Sequence, residues 1–306
     1  MNKSPLFARV IAGALFVAVL AGTWDAWWHG AIGRDSFWEL PHLFLYTAVL
    51  CAITLGIYGW KKYNNSSWKY LAFVLLLIPI SAPFDELWHR AFGVEDLSSP
   101  LIVWSPPHLV LIFALVFSLF LTLFILLKDT DTDARRFFSA MTIAASISLL
   151  SFVISPLIPT GPWQLIGFWG AGIFAAVIIG GLLYAEKKIG GIAIASTVIL
   201  FVILLSAMSF GEEVREDIKI VPHDHAPGWL TIFALLIPAA FLDLSKNWKQ
   251  FFIRGGIAAG LWGFILYGFS SQFFEPTYQY GFTSVGIAIL ASFMGGLLAA
   301  WLVKKT

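Results

Sequence analysis

Thiol chemistry is almost missing from this chain. Cys51 is the only cysteine among 306 residues, so no disulfide closes within one copy and no thiolate cluster can hold a metal. Cys51 lies in an apolar run and reads as a buried small hydrophobe. Soft thioether donors are few as well, with four methionines, which argues against a Cu(I) transport path. Charge is scarce: 12% of residues are Asp, Glu, Lys or Arg, where ordinary soluble domains carry about 25%. No run of Lys and Arg suits nucleic acid, so no such partner is expected.

What is present is apolar. Hydrophobic residues make up 59% of the chain, and its mean hydropathy is +0.83. Runs long enough to cross a bilayer fall at Ala8–Trp28, Pro41–Trp60, Tyr70–Phe92, Pro106–Leu127, Phe137–Ile158, Trp163–Tyr184, Ile192–Phe210, Trp229–Leu244, Gly255–Phe269 and Phe282–Val303. The expectation is an all-α, polytopic integral membrane protein with about ten transmembrane helices. The eighth and ninth are short and carry Pro238 and several glycines. The N-terminus, Met1 to Val10, carries two cations, Lys3 and Arg9, before an apolar stretch, in the manner of a signal peptide. That run continues without a convincing small-residue cleavage site and reads as the first span.

Ten spans put both termini on one side. Of all Lys and Arg residues, only Arg34, Arg90, Arg215 and Lys219 then fall on the other side. The positive-inside rule makes the termini cytoplasmic. All six histidines lie on the outer side. Histidines serving as core filler would have no reason to choose a side. The expected setting is a bacterial or archaeal cell membrane with the working face on the periplasmic or exterior side.

Two stretches repeat one pattern. Asp25-Ala-Trp-Trp-His29 is followed by Pro41-His42, and Asp85-Glu-Leu-Trp-His89 is followed by Pro107-His108. Asp and His four residues apart stack one turn apart on a helix face. Proline suits the first turn of the returning helix. Each copy thus offers one carboxylate and two imidazoles, a metal-ligand set that fits Cu(II), Zn or Fe. Residues 1–128 read as a duplicated four-helix region, with repeats at about 8–60 and 69–128, and residues 129–306 supply the remaining helices. A lone histidine at a membrane edge more often bonds a backbone carbonyl, and tryptophans there belong to an aromatic belt. Belt composition does not require Asp, Trp, His and Pro-His to recur together, so the duplication favours metal sites.

The segment from Asp25 to Tyr46 resembles the metal-site segment of the C subunit of particulate methane and ammonia monooxygenases. That pattern is Asp, three residues, His, twelve residues, His, and both gaps are unchanged here. Also shared are Trp28 before the first His, the Arg34-Asp35-Ser36 step, Pro41 before the second His and Tyr46 four residues after it. The resemblance covers 22 residues, with a weaker echo from Asp85 to His108. It implies copper on Asp25, His29 and His42, and insertion of oxygen from O₂ into a small substrate. The family's neighbouring copper site uses an Asn. Asn2, Asn64, Asn65 and Asn247 all fall on the cytoplasmic side, so that site does not carry over.

Two accessory groups complete the outer face. His223 and His225 lie in an acidic loop and could gather an ion, and Glu275 at the end of the ninth span could add a ligand or accept a proton. The leading expectation is O₂-dependent oxidation of a small apolar substrate drawn from the lipid bilayer, with further membrane subunits or a homo-oligomer as partners. The alternative is a non-enzymatic protein for handling or transporting copper or zinc. A bis-histidine haem is a third reading, and the pairing of each His with an Asp suits a small ion better.

Overall fold

The computed structural model describes residues 5–31, 38–92, 105–128, 130–154, 164–200, 228–269 and 282–305. Among them there is no strand. The helices are α1 (Pro5–Ala31), α2 (Leu40–Tyr63), α3 (Ser66–Phe92), α4 (Pro106–Leu126), α5 (Thr132–Ile154), α6 (Gln164–Ile189), α7 (192–200), α8 (Gly228–Leu244), α9 (Phe251–Gly263) and α10 (Phe282–Lys305). After α9 the chain winds on as a π-helix, Phe264–Phe269.

Six segments among the described residues are long and apolar enough to cross a membrane: Leu6–Asp25, Leu40–Tyr63, Ser66–Phe92, Pro106–Leu126, Gly170–Ile189 and Thr283–Lys305. The protein is therefore an integral membrane protein by length and composition of its helices. The sequence reading places ten spans, and helices stand at all ten positions. Four of them are not among these six. α8 has 17 residues and α9 has 13. α7 is described only over 192–200, and α5 runs 23 residues, with Asp133, Arg135 and Arg136 ahead of an uncharged stretch to Ile154. Large apolar side chains cover the outside of the helices, among them Leu50, Phe73, Phe84, Phe113, Phe117 and Leu290. In water such a surface would drive association. Toward lipid it carries no such penalty.

The described residues form two compact units, divided between Leu149 and Leu150. In the first, α1 packs on α2, α2 on α3, α3 on α4 and α4 back on α1. This closes a four-helix bundle from the two repeated hairpins. Its core holds Ile11, Leu15, Leu71, Leu75, Ile78, Leu119 and Leu126. Trp68 is 1% exposed and lies against Gly59, where any Cβ would collide with the indole. Glycine at that point lets α2 and α3 approach closely.

In the second unit α10 packs on α6 and α9, and α8 packs on α9. The contacts are made by small residues. A Cβ on Gly295 would strike the Gly172 carbonyl, and one on Gly296 would strike that of Gly255. Lipid supplies no hydrophobic drive between helices, so backbones this close gain stability by van der Waals contact. Arg254, which the sequence reading counts as a cytoplasmic-side cation, lies inside α9 and is 3% exposed. Its guanidinium pairs with Glu186 of α6, donates to Leu242 O, and donates to Ser245 Oγ at 2.9 Å. Asp243 accepts from the Ile194 N–H at 3.1 Å, near the start of α7. The Lys187 ammonium donates to Val303 O at 3.1 Å, which ties the ends of α6 and α10.

Candidate metal centre

The first repeat brings its ligands together across two helices. Asp25 sits near the end of α1, and His42 sits in the first turn of α2. The antiparallel packing of α1 on α2 faces them, with His42 Nε2 3.1 Å from Asp25 Oδ1. Pro41 lies at the start of α2, where a missing N–H costs nothing. Tyr46, one turn on, stacks on the imidazole at 5.8 Å between ring centroids and 29° between planes. Trp24 lies between Trp28 and Phe44, with both centroid distances 6.0 Å.

A third donor joins them that sequence reasoning missed. Glu39 is the N-cap of α2, with φ −60° and ψ 152°, and its side chain makes no capping hydrogen bond. One ligand atom from each of Asp25, Glu39 and His42 lies within 4.8 Å of the others. Glu39 and His42 are each 8% exposed. A signal was present: helix N-caps are usually Ser, Thr, Asp or Asn, and glutamate is out of place there.

The second repeat reproduces the pair. His108 Nε2 stands 3.2 Å from Asp85 Oδ1, again from the first turn of one helix to the end of its neighbour. Its side chains are more open, at 27% and 25% exposed against 10% and 21% for His42 and Asp25. Ser105 holds the position equivalent to Glu39, and its Oγ accepts from the His108 N–H at 3.4 Å. Next to Asp85, Glu86 pairs with Arg90 on the exposed face at 2.9 Å.

The structure thus brings Asp25 to His42 and Asp85 to His108. The backbones of His29 and His89 continue α1 and α3 one turn beyond the aspartates, and their side chains lie outside the described residues. His223, His225 and Glu275 also lie outside them.

The two carboxylates held this close repel each other, while the His42 imidazole beside Asp25 attracts them. The positive end of the α2 dipole offsets part of that cost. A cation would be favoured there as well, and mixed O and N donors suit Cu(II), Zn or Fe.

An apolar groove of about 710 Å³ runs along α1 and α2, lined by Leu6, Arg9, Val10, Gly13, Ala14, Val17, Phe44, Thr47, Ala48 and Cys51, with Phe138 of α5. None of the three ligands lines it, although Phe44 also touches Trp24. Cys51 is exposed on this wall, where the sequence reading has it buried. An apolar run in a membrane helix has a lipid-facing side as well as a core-facing one, and a thiol is at home on either.

No family model matches the chain, and neither does any curated protein or solved structure.

Proposed function

We propose that this is a membrane metalloprotein whose centre, Asp25, Glu39 and His42, holds one ion, with His29 as a further donor from the next turn of α1. The convergence of three ligand atoms within 4.8 Å, from the buried Glu39 and His42 and the half-buried Asp25, carries this reading. The donor types fit a divalent transition metal, and the resemblance of the Asp25–Tyr46 segment points to copper, with iron or zinc as the alternatives.

The function we propose is O₂-dependent oxidation of a small apolar substrate. Copper held there would supply the activation of O₂. The protein's own share is positional. Asp25, Glu39 and His42 would hold the ion, and Tyr46 restrains the imidazole by stacking. The groove along α1 and α2 offers an apolar molecule a lateral approach from the bilayer toward Phe44. Lys61 and Lys62 close α2 at its opposite end, which supports an exterior placement of the centre by the positive-inside rule.

The test is O₂ uptake by the purified, copper-loaded chain with short alkanes, alkenes and ammonia as substrates. Copper-dependent uptake, lost in His42→Ala with helix content retained, is the expected result. Tight copper binding with no uptake on any of them would leave the second reading, metal handling without turnover, as the better one.

A further inference from the structure

The two repeats share an ancestor pattern and differ in what surrounds it. We infer that they have taken different roles: the first holds the ion, the second holds none and clasps α3 to α4, and Glu39 decides between them. This rests on the metal-centre reading and adds a stoichiometry to it.

Four matched positions carry the inference. Glu39 turns its carboxylate toward Asp25 and His42, while its counterpart Ser105 is occupied in capping α4 through the His108 N–H. A neutral hydroxyl already used as a cap is a poor exchange for an anionic ligand. Tyr46 stacks on His42, and the residue one turn after His108 is Ile112. The Asp85–His108 pair is more open to solvent than Asp25–His42, so it can exist without a cation at lower cost. Finally, α3 contains Pro79 and Pro83 in the two turns before Asp85. The matching residues of α1 are Val19 and Thr23, and Thr23 Oγ1 donates to Val19 O at 3.0 Å. Each proline removes a backbone donor from α3, so this end of the helix gains from a side-chain tie to its neighbour. His29 and His89 stand one turn beyond their aspartates in both copies and add nothing to the difference.

The experiment is copper stoichiometry on the full chain in detergent. Each protein is loaded with Cu(II), desalted and measured by elemental analysis beside its melting temperature. Wild type is expected to hold one ion per chain, Glu39→Ser none, and Ser105→Glu two. The Glu39→Ser/Ser105→Glu double variant is expected to hold one again. Should the new glutamate prevent folding, Asp85→Asn serves in its place: its copper content stays at one while its melting temperature falls. Two ions in wild type, or loss of copper in Asp85→Asn with the fold retained, would overturn this inference and leave the metal-centre reading standing. No bound copper in wild type would overturn both.

Discussion

Glu39 and Ser105 begin equivalent helices with nearly the same backbone, φ −60° in each and ψ 152° and 141°, and use their side chains in opposite ways. Ser105 caps its helix. Glu39 leaves the cap and joins Asp25 and His42. One residue type at one helix start thus separates a three-donor cluster from a two-donor pair.

Glu39→Gln keeps the shape of that side chain and removes its charge. Copper affinity is expected to fall at least about tenfold, the loss that even an outer-shell partner of a metal causes. Competition titration against a chelator measures it. Unchanged affinity would remove Glu39 from the centre.

Protons compete with the ion for every donor in the cluster, because imidazole binds metal when neutral and carboxylate when ionised. Copper affinity is therefore expected to fall as pH is lowered from 8 toward about 5.5, through the range in which imidazole ordinarily titrates (about 6.5). The same titration repeated across pH gives the slope. A flat or rising affinity on acidification would mean that His42 is not a ligand.

In the second unit, Arg254→Met leaves Glu186 with its carboxylate buried and its partner gone. Breaking a buried pair from one side costs about 3–5 kcal/mol. A marked drop in melting temperature in detergent is expected, and Arg254→Met/Glu186→Met should recover much of it. A single variant as stable as wild type would show the pair to be incidental.

Gly295→Ala puts a methyl group into the Gly172 carbonyl across the α6–α10 contact. Overpacking of this kind costs about 1–3 kcal/mol. Gly286, on the same helix, has open space at its Cβ position, so Gly286→Ala is expected to be neutral or slightly stabilising. Equal melting temperatures for the two variants would contradict the close approach of α6 and α10.

The parts of this molecule legible in its sequence are those set by local pattern. Apolar runs located the helices because burying a helix or setting it in lipid requires such runs. The repeated Asp and Pro-His marked two helix ends that pack together, and the pairs Asp25–His42 and Asp85–His108 followed. Glu39 was not legible because its role depends on a side chain leaving the N-cap for a neighbour across the hairpin. Arg254 fell just before the expected ninth span, which starts at Gly255, and counted as a cytoplasmic-side cation. Its inclusion in α9, four residues ahead of the expected start, goes with a partner in α6 that is 68 residues away in sequence, and no local pattern records such a partner. Cys51 shows a similar limit: hydrophobicity alone does not tell the lipid-facing side of a membrane helix from its core-facing side.

The central claim is that Asp25, Glu39 and His42 form a metal centre. The most direct measurement is elemental analysis with electron paramagnetic resonance on the purified chain, wild type beside His42→Ala. The account predicts one tightly held copper per wild-type chain, with a type-2 signal showing coupling to imidazole nitrogen, and loss of both in the variant. Wild-type protein that holds no transition metal after loading, or a signal unchanged in His42→Ala, would contradict it.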